Sequence, residues 1–369
     1  MKRILIIASS IGNTAPGKVF SKYISLFKKN NSVQIDVISN DSDLNAKYIK
    51  LKNIHPRLKK LSISIFGGDI FDYSSAKKVV DNFDQKYDIV FTMMSANHFF
   101  PLYFGYLYKN KFKEVNWINY SVDAIPAPHG WGLSRSYSNG LIKMIKKYMS
   151  EVDHLYFSNQ IMLNYQLELL GDSFKGNSGV LYTLPHNDFI NIPYKENSKP
   201  FTLLYTGGVY QARKVDQLLL AVEKLVLDGI NIQLNFVGTN PKAVDLSIIS
   251  QAASSRVNFF GHTADLLPFY READLLIDID ADIENDVFIS SKFFNYLTIN
   301  RNILCITGVN SPVRQLIKEK QLLNIYFSEH LSEAIEFQLR KIIYINYCYD
   351  NKRIFFISNI YNDIIMELD

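Results

Sequence analysis

Short apolar runs alternate with stretches of helical spacing along the whole chain. In the first half these runs occupy residues 4–8, 33–38, 89–93, 117–120, 155–158 and 180–182, and they are mostly continuous rather than alternating with polar positions. Strands of that kind are buried on both faces, which predicts a parallel sheet covered by crossover helices. Residues 19–28, 75–83 and 137–150 have the spacing of those helices. The composition turns polar at 194–200 (YKENSKP) and the same pattern then begins again, which places a domain boundary at 194/195. Beyond it, strands at 201–205, 232–237, 257–260, 275–278 and 302–306 interleave with helices at 215–227, 265–271 and 290–297, and Pro312 suits the first turn of another helix. Residues 332–368 read as helix without a strand to follow, and are expected to cross back to the first domain. The prediction is an α/β chain of two doubly wound, Rossmann-like domains, 1–194 and 195–369, facing each other across a cleft. Ligands of such sheets bind at the carboxyl ends of the strands.

Composition narrows the class. A hydrophobic fraction of 47% and a charged fraction of 21% over 369 residues describe a folded two-domain protein rather than a disordered one. Cys305 and Cys348 are the only cysteines, and Cys305 lies in an apolar run, so a buried inert thiol is expected rather than a disulfide framework. Met1, Lys2 and Arg3 carry the charge of a leader, but the apolar run behind them is too short and reads as the first buried strand. No apolar stretch approaches the roughly 20 residues that span a bilayer, so a soluble, cytoplasmic protein is expected. A net charge of +4 does not point to nucleic acid, whereas 23 Tyr and 25 Phe beside basic segments at 109–113 (KNKFK) and 143–148 (KMIKKY) suit peripheral contact with an anionic membrane. An ordinary solvated helix face is the other reading of those segments.

Candidate chemistry falls just after predicted strands. After the first strand stands SSIGNTAPG, with Gly12, Asn13 and Gly17. It matches neither the dinucleotide fingerprint nor a Walker A loop, and reads as a tight turn or as a ligand contact on the acceptor side. After the first strand of the second half stands YTGGVYQARK. Gly207 and Gly208 would offer backbone N–H groups, and Arg213 and Lys214 charge, to a diphosphate.

This loop, with the amphipathic helix behind it, resembles the phosphate loop of glycosyltransferase family 4 (group 1), in which a Gly-Arg pair is followed by Lys. Here Gly208 stands in the place of that Arg and Arg213 in the place of the Lys. The order of further turns, FVG with Gly238 and FFGH with Gly261 and His262, is similar to the same family, as is the segment SSKFFNYL with Ser291, Lys292 and Asn295. Two glutamates usual to the family are replaced by Val287 and Asn295.

The resemblance implies a GT-B enzyme, a hexosyltransferase that moves a sugar from a UDP- or GDP-linked donor to an acceptor hydroxyl with retention of configuration. It implies no cofactor and no metal. The lipid-linked saccharides of bacterial surface polysaccharide (O-antigen or capsule) synthesis are the acceptors it suggests. A GT-B nucleotide-sugar 2-epimerase and a degraded, non-catalytic GT-B binding protein are the alternatives.

Asp278, Asp280, Asp282, Glu284 and Asp286 alternate in a run that invites a D-x-D metal reading; a solvated acidic loop is the expectation, ahead of a sugar-hydroxyl contact or a metal site. In the first domain, Asp123 and His129 follow a strand and are candidates for catalysis, with His98 on the acceptor side; a structural hydrogen bond is the alternative role of each.

Overall fold

The computed structural model describes residues 1–12, 14–30, 32–39, 47–49, 54–96, 98–185, 189–193, 200–210, 212–345 and 351–366. Two compact units are present, 1–186 with 360–369, and 187–359.

The first unit runs β1 (Lys2–Ala8), α1 (Ala15–Phe27), β2 (Val33–Ser39), β3 (Lys47–Tyr48), α2 (Pro56–Phe66), α3 (Ile70–Asp81), β4 (Ile89–Met94), α4 (Phe100–Lys111), β5 (Asn116–Ser121), α5 (Arg135–Tyr148), β6 (His154–Phe157), α6 (Gln160–Leu170) and β7 (Asn177–Val180). Its sheet is parallel throughout, in the order β3-β2-β1-β4-β5-β6-β7. The continuous apolar runs account for this, since Ile4 to Ile7 on the central β1 are fully buried between helical layers. Expected strands and helices recur here, although the one expected at 180–182 ends where it was to begin, at Val180.

The second unit runs β8 (Phe201–Thr206), α7 (Asp216–Leu227), β9 (Ile232–Val237), α8 (Gln251–Ser254), β10 (Val257–Phe260), α9 (Leu267–Glu272), β11 (Leu275–Ile279), α10 (Ser291–Leu297), β12 (Asn302–Ile306), α11 (Pro312–Lys320), β13 (Ile325–Ser328) and α12 (Ser332–Ile342). The last helix, α13 (Asn351–Met366), begins in this unit and ends in the first. Its sheet is again parallel, in the order β10-β9-β8-β11-β12-β13. Pro312 does open a helix, capped by Ser311, whose Oγ accepts from the Val313 N–H at 3.1 Å.

Each unit reverses strand order once, between β1 and β4 and between β8 and β11. A crevice forms at such a point because the loops leaving the two central strands diverge to opposite faces. Among the described residues, no helix is long and apolar enough to cross a membrane.

Candidate donor site

The loops after β8, β9 and β10 are tied together at the switch point of the second unit. Gly207 N donates to Val237 O at 2.7 Å and Gly238 N to Phe260 O at 2.9 Å, so each turn hangs on the end of the next strand. Thr239 Oγ1 donates to Gly207 O at 2.5 Å. Gly207 (φ +95°) and Gly238 (φ +76°) hold left-handed backbone, and a Cβ on Gly238 would lie 3.8 Å from Gly207 Cα and 3.9 Å from His262 Cα. The structure thus brings Gly207, Gly238 and His262 together. One detail differs from expectation: the Gly207 N–H is committed to the neighbouring strand and is not available to a phosphate. What Gly207 supplies is clearance, because a Cβ there would stand 3.4 Å from Lys292 Cδ.

Lys292 reaches this turn from α10. Its Nζ donates to Tyr205 Oη at 2.9 Å, and Tyr205 Oη in turn donates to Gly208 O at 3.0 Å, so the ammonium is linked to the loop through a phenol. Desolvation, and then the charge of Arg213, pull the Lys292 pKa down to about 7. The other predicted cation, Arg213, is 8% exposed and lies over the Tyr210 ring at 5.1 Å. Burial works against its charge, but Tyr210, Asp278 and Asp280 more than offset this and its pKa is raised. Lys214, Gly208, Gly261 and His262 are exposed, and Ser291 and Asn295 are partly so. Ser290, rather than Ser291, caps α10, its Oγ accepting from Phe293 N at 3.2 Å.

The acidic run departs from expectation. Asp282 and Glu284 are exposed, but Asp278, Asp280 and Asp286 are 1%, 2% and 4% exposed, so the run is not a solvated loop. The reason is that β11 is buried along its whole length, so that Asp278 lies within it and Asp280 directly behind it, and the chain reaches solvent only from Asp282 before Asp286 returns to the interior. Asp278 Oδ1 accepts from Ser290 Oγ at 2.7 Å; Asp280 Oδ2 accepts from Thr307 Oγ1 at 2.9 Å and Ser311 Oγ at 3.0 Å. Among the described residues, Arg213 Nε, Asp278 Oδ2 and Asp280 Oδ1 have no hydrogen-bond partner. Three buried charged groups with free valences around one lysine make this the most highly charged interior in the unit, and sites of that kind are where pKa values are shifted for function. Among the described residues, no group of His, Cys, Asp and Glu has the arrangement of a metal site. Tyr205 and Tyr210 join this cluster without being singled out by the sequence pattern, and for Asp278 a carboxylate inside the apolar strand LLIDI is the signal against a solvated loop, because a buried charge requires a partner.

Burial, and secondly Asp278, raise the Asp280 pKa to about 7. A carboxyl whose pKa is raised on folding stabilises the fold fully only below its unfolded pKa, and that contribution is lost as pH rises towards 7. Asp280→Asn, which keeps acceptors for Thr307 and Ser311, is therefore expected to gain on the parent by on the order of 4 kcal/mol between pH 4 and pH 8. Urea unfolding at the two pH values checks this, and equal slopes in parent and variant would show that Asp280 is charged throughout.

In the first unit the corresponding loops leave β1, β4 and β5. Gly12 (φ +98°) donates its N–H to Ser21 Oγ at 3.0 Å, and Gly17 packs against Thr14, whose Oγ1 accepts from Gly17 N at 3.0 Å. These bonds fit a tight helix-entry turn; Asn13 lies outside the described residues. Asp123 Oδ2 accepts from Ala96 N at 2.8 Å, tying the β4 and β5 loops, and burial raises its pKa. His98 is exposed. His129 lines a pocket of about 630 Å³ with Pro126, Pro128, Arg135, Ile142 and Tyr165. Gln166 holds the entry to this loop, donating Nε2 to Ile125 O at 2.8 Å and accepting from Ile125 N at 2.9 Å.

Comparison with solved structures agrees with the two-unit architecture. Sucrose-phosphate synthase from Thermosynechococcus elongatus matches with a TM-score of 0.66 at 11% identity, over 100% of this chain and 97% of that one. The lipopolysaccharide outer core galactosyltransferase WaaB, in its apo form, gives 0.63 at 14% identity over 100% of both chains. S. aureus MnaA, in a structure with UDP, gives 0.54 at 12% identity over 99% of this chain and 91% of that one. The fold is that of the GT-B class, two doubly wound α/β domains in one chain. No family model and no curated sequence matches the chain.

Proposed function

We propose that the chain is a glycosyltransferase that takes a sugar from a nucleotide diphosphate sugar bound in the second unit and passes it to an acceptor hydroxyl, with retention of configuration. The observation that carries this reading is Lys292 against the Gly207 turn, with the charge of the buried Arg213 acting on it, at the switch point between β8 and β11. Transfer of a glycosyl group passes through an oxocarbenium-like state in which negative charge grows on the departing diphosphate. Cations held in a water-poor setting stabilise that charge far more than they would in bulk water. Lys292 is the group we assign to the diphosphate, Gly208 the backbone donor beside it, and Asn295, three residues along α10, a contact for a donor hydroxyl. Asp123 and His129 are the acceptor-side candidates, the latter through its pocket. The acceptor in this reading is a lipid-linked saccharide of a surface polysaccharide.

Thermal unfolding with UDP, GDP, ADP, dTDP, CMP and NAD tests the donor assignment. A ligand at 100 times its dissociation constant stabilises by about 2.7 kcal/mol, which for a domain of this size raises Tm by roughly 5–10 °C. One nucleoside diphosphate is expected to act selectively; a response to NAD alone would overturn the reading, and no response at all would favour a degraded site.

A further inference from the structure

Among the described residues of the first unit, α2 presents an exposed apolar face. Leu58, Leu61, Ile65 and Phe66 of α2 and Ile70 at the start of α3 are between 47 and 67% exposed. Leu58, Leu61 and Ile65 recur at helical spacing on the side of α2 opposite Ile63, which is buried. Ile63 faces α5, where Gly140 leaves no room for a Cβ against the Ile63 carbonyl. The inward side of α2 is therefore fixed and its apolar stripe must point outward. Phe66 and Ile70 extend the stripe around the corner that Gly67 (φ +66°) allows.

The surroundings of this stripe are basic. Neither α2 nor α5 contains an Asp or Glu. Arg57 and Lys60 on α2, and Lys143, Lys146 and Lys147 on α5, are all exposed. Lys143 lies against Gly67, the residue that ends α2. The second basic segment is spent on the fold, since Lys109 binds Asp153 and Val115 O, and Lys111 binds Asp84 and the carbonyls of Val80 and Phe83.

We propose that this face docks on an anionic lipid bilayer, with the α2 stripe entering the headgroup boundary and the α5 lysines held over the lipid phosphates. Apolar side chains beside two helices that carry cations and no carboxylate fit that occupant by charge, and Asp69 and Asp72 next to Ile70 are buried and paired with Lys59; a protein partner would have to match the same excess with carboxylates. The short α2 and its few apolar side chains make the attachment reversible, dependent on both terms at once. It does not depend on the transferase reading, because docking needs no nucleotide.

The test is co-sedimentation of the full chain with vesicles of phosphatidylcholine alone and of phosphatidylcholine mixed with phosphatidylglycerol, at low and high salt. Binding is expected only with the anionic lipid and is expected to fall at high salt. Changing Lys143, Lys146 and Lys147 together to Ser should weaken it by about a hundredfold. Leu61→Ser with Ile65→Ser should weaken it by about tenfold or more. Both variants alter exposed side chains and should leave the unfolding midpoint unchanged. Equal binding to both kinds of vesicle, or binding to neither, would overturn the proposal. So would a concentration-dependent dimer in sedimentation velocity that the Leu61, Ile65 variant abolishes, since the stripe would then cover a second copy of the chain.

Discussion

Lys292→Ala is expected to lower kcat/KM by about a hundredfold or more, with little change in stability. The side chain reaches the Gly207 turn through a single bond to Tyr205, and desolvation already weakens its charge in the free protein. Removing it relieves an unfavourable burial while deleting the charge that would meet the diphosphate. Arg213→Ala should lower turnover as far, but for a different reason and with a second signature. Arg213 is buried beside Asp278 and Asp280, and removal of one partner from a buried charge cluster typically destabilises by about 3–5 kcal/mol. Because Asp280 can take up a proton near neutrality, that loss should be smaller at pH 6 than at pH 8, and smaller again in Arg213→Ala with Asp280→Asn. Steady-state turnover of a labelled donor, measured beside unfolding midpoints, separates the two roles. Near-normal turnover in both single variants would place the diphosphate elsewhere.

The sequence made the sheets legible and left much of the site unread, for reasons that can be traced. Parallel strands buried on both faces write themselves as apolar runs, so β1, β4, β9 and β12 stand out. The two-residue β3 is too short to leave a pattern, and α2, with its outward leucines, breaks the rule that apolar means inside. The glycine turns were readable because left-handed backbone and close approach restrict the residue type, and Gly207 and Gly238 both hold that conformation. Asp278 and Asp280 are hard to read because a run of alternating carboxylates looks solvated, whereas here the first two lie in and directly behind a strand that is buried along its whole length. Their partners are the residues that cap α10 and α11 and the one that follows β12, at separations of 12 to 31 residues, which no local pattern reveals.

Binding of a nucleoside diphosphate at pH 8 is expected to take up close to one proton. With its pKa near 7, Lys292 is about nine-tenths neutral at pH 8 in the free protein. Bound phosphate oxygens at the Gly207 turn would favour the charged ammonium and return its pKa towards the ordinary lysine range. Linkage then fixes the sign: affinity is highest below about pH 7 and falls by up to tenfold per unit as pH rises above it, until the pKa of the bound form is reached. Asp280 titrates in the same range, and an anion nearby would also raise its pKa, adding uptake in the same direction. The two are separable, because Asp280→Asn should retain most of the uptake and Lys292→Met should lose it together with much of the affinity. Lys292→Arg should keep charge at all these pH values and flatten the dependence. Calorimetry at pH 8 in Tris and in HEPES, whose ionisation enthalpies differ, reads the proton directly. If the parent's heats coincide in the two buffers and its affinity is flat from pH 6 to 9, Lys292 does not meet the phosphates.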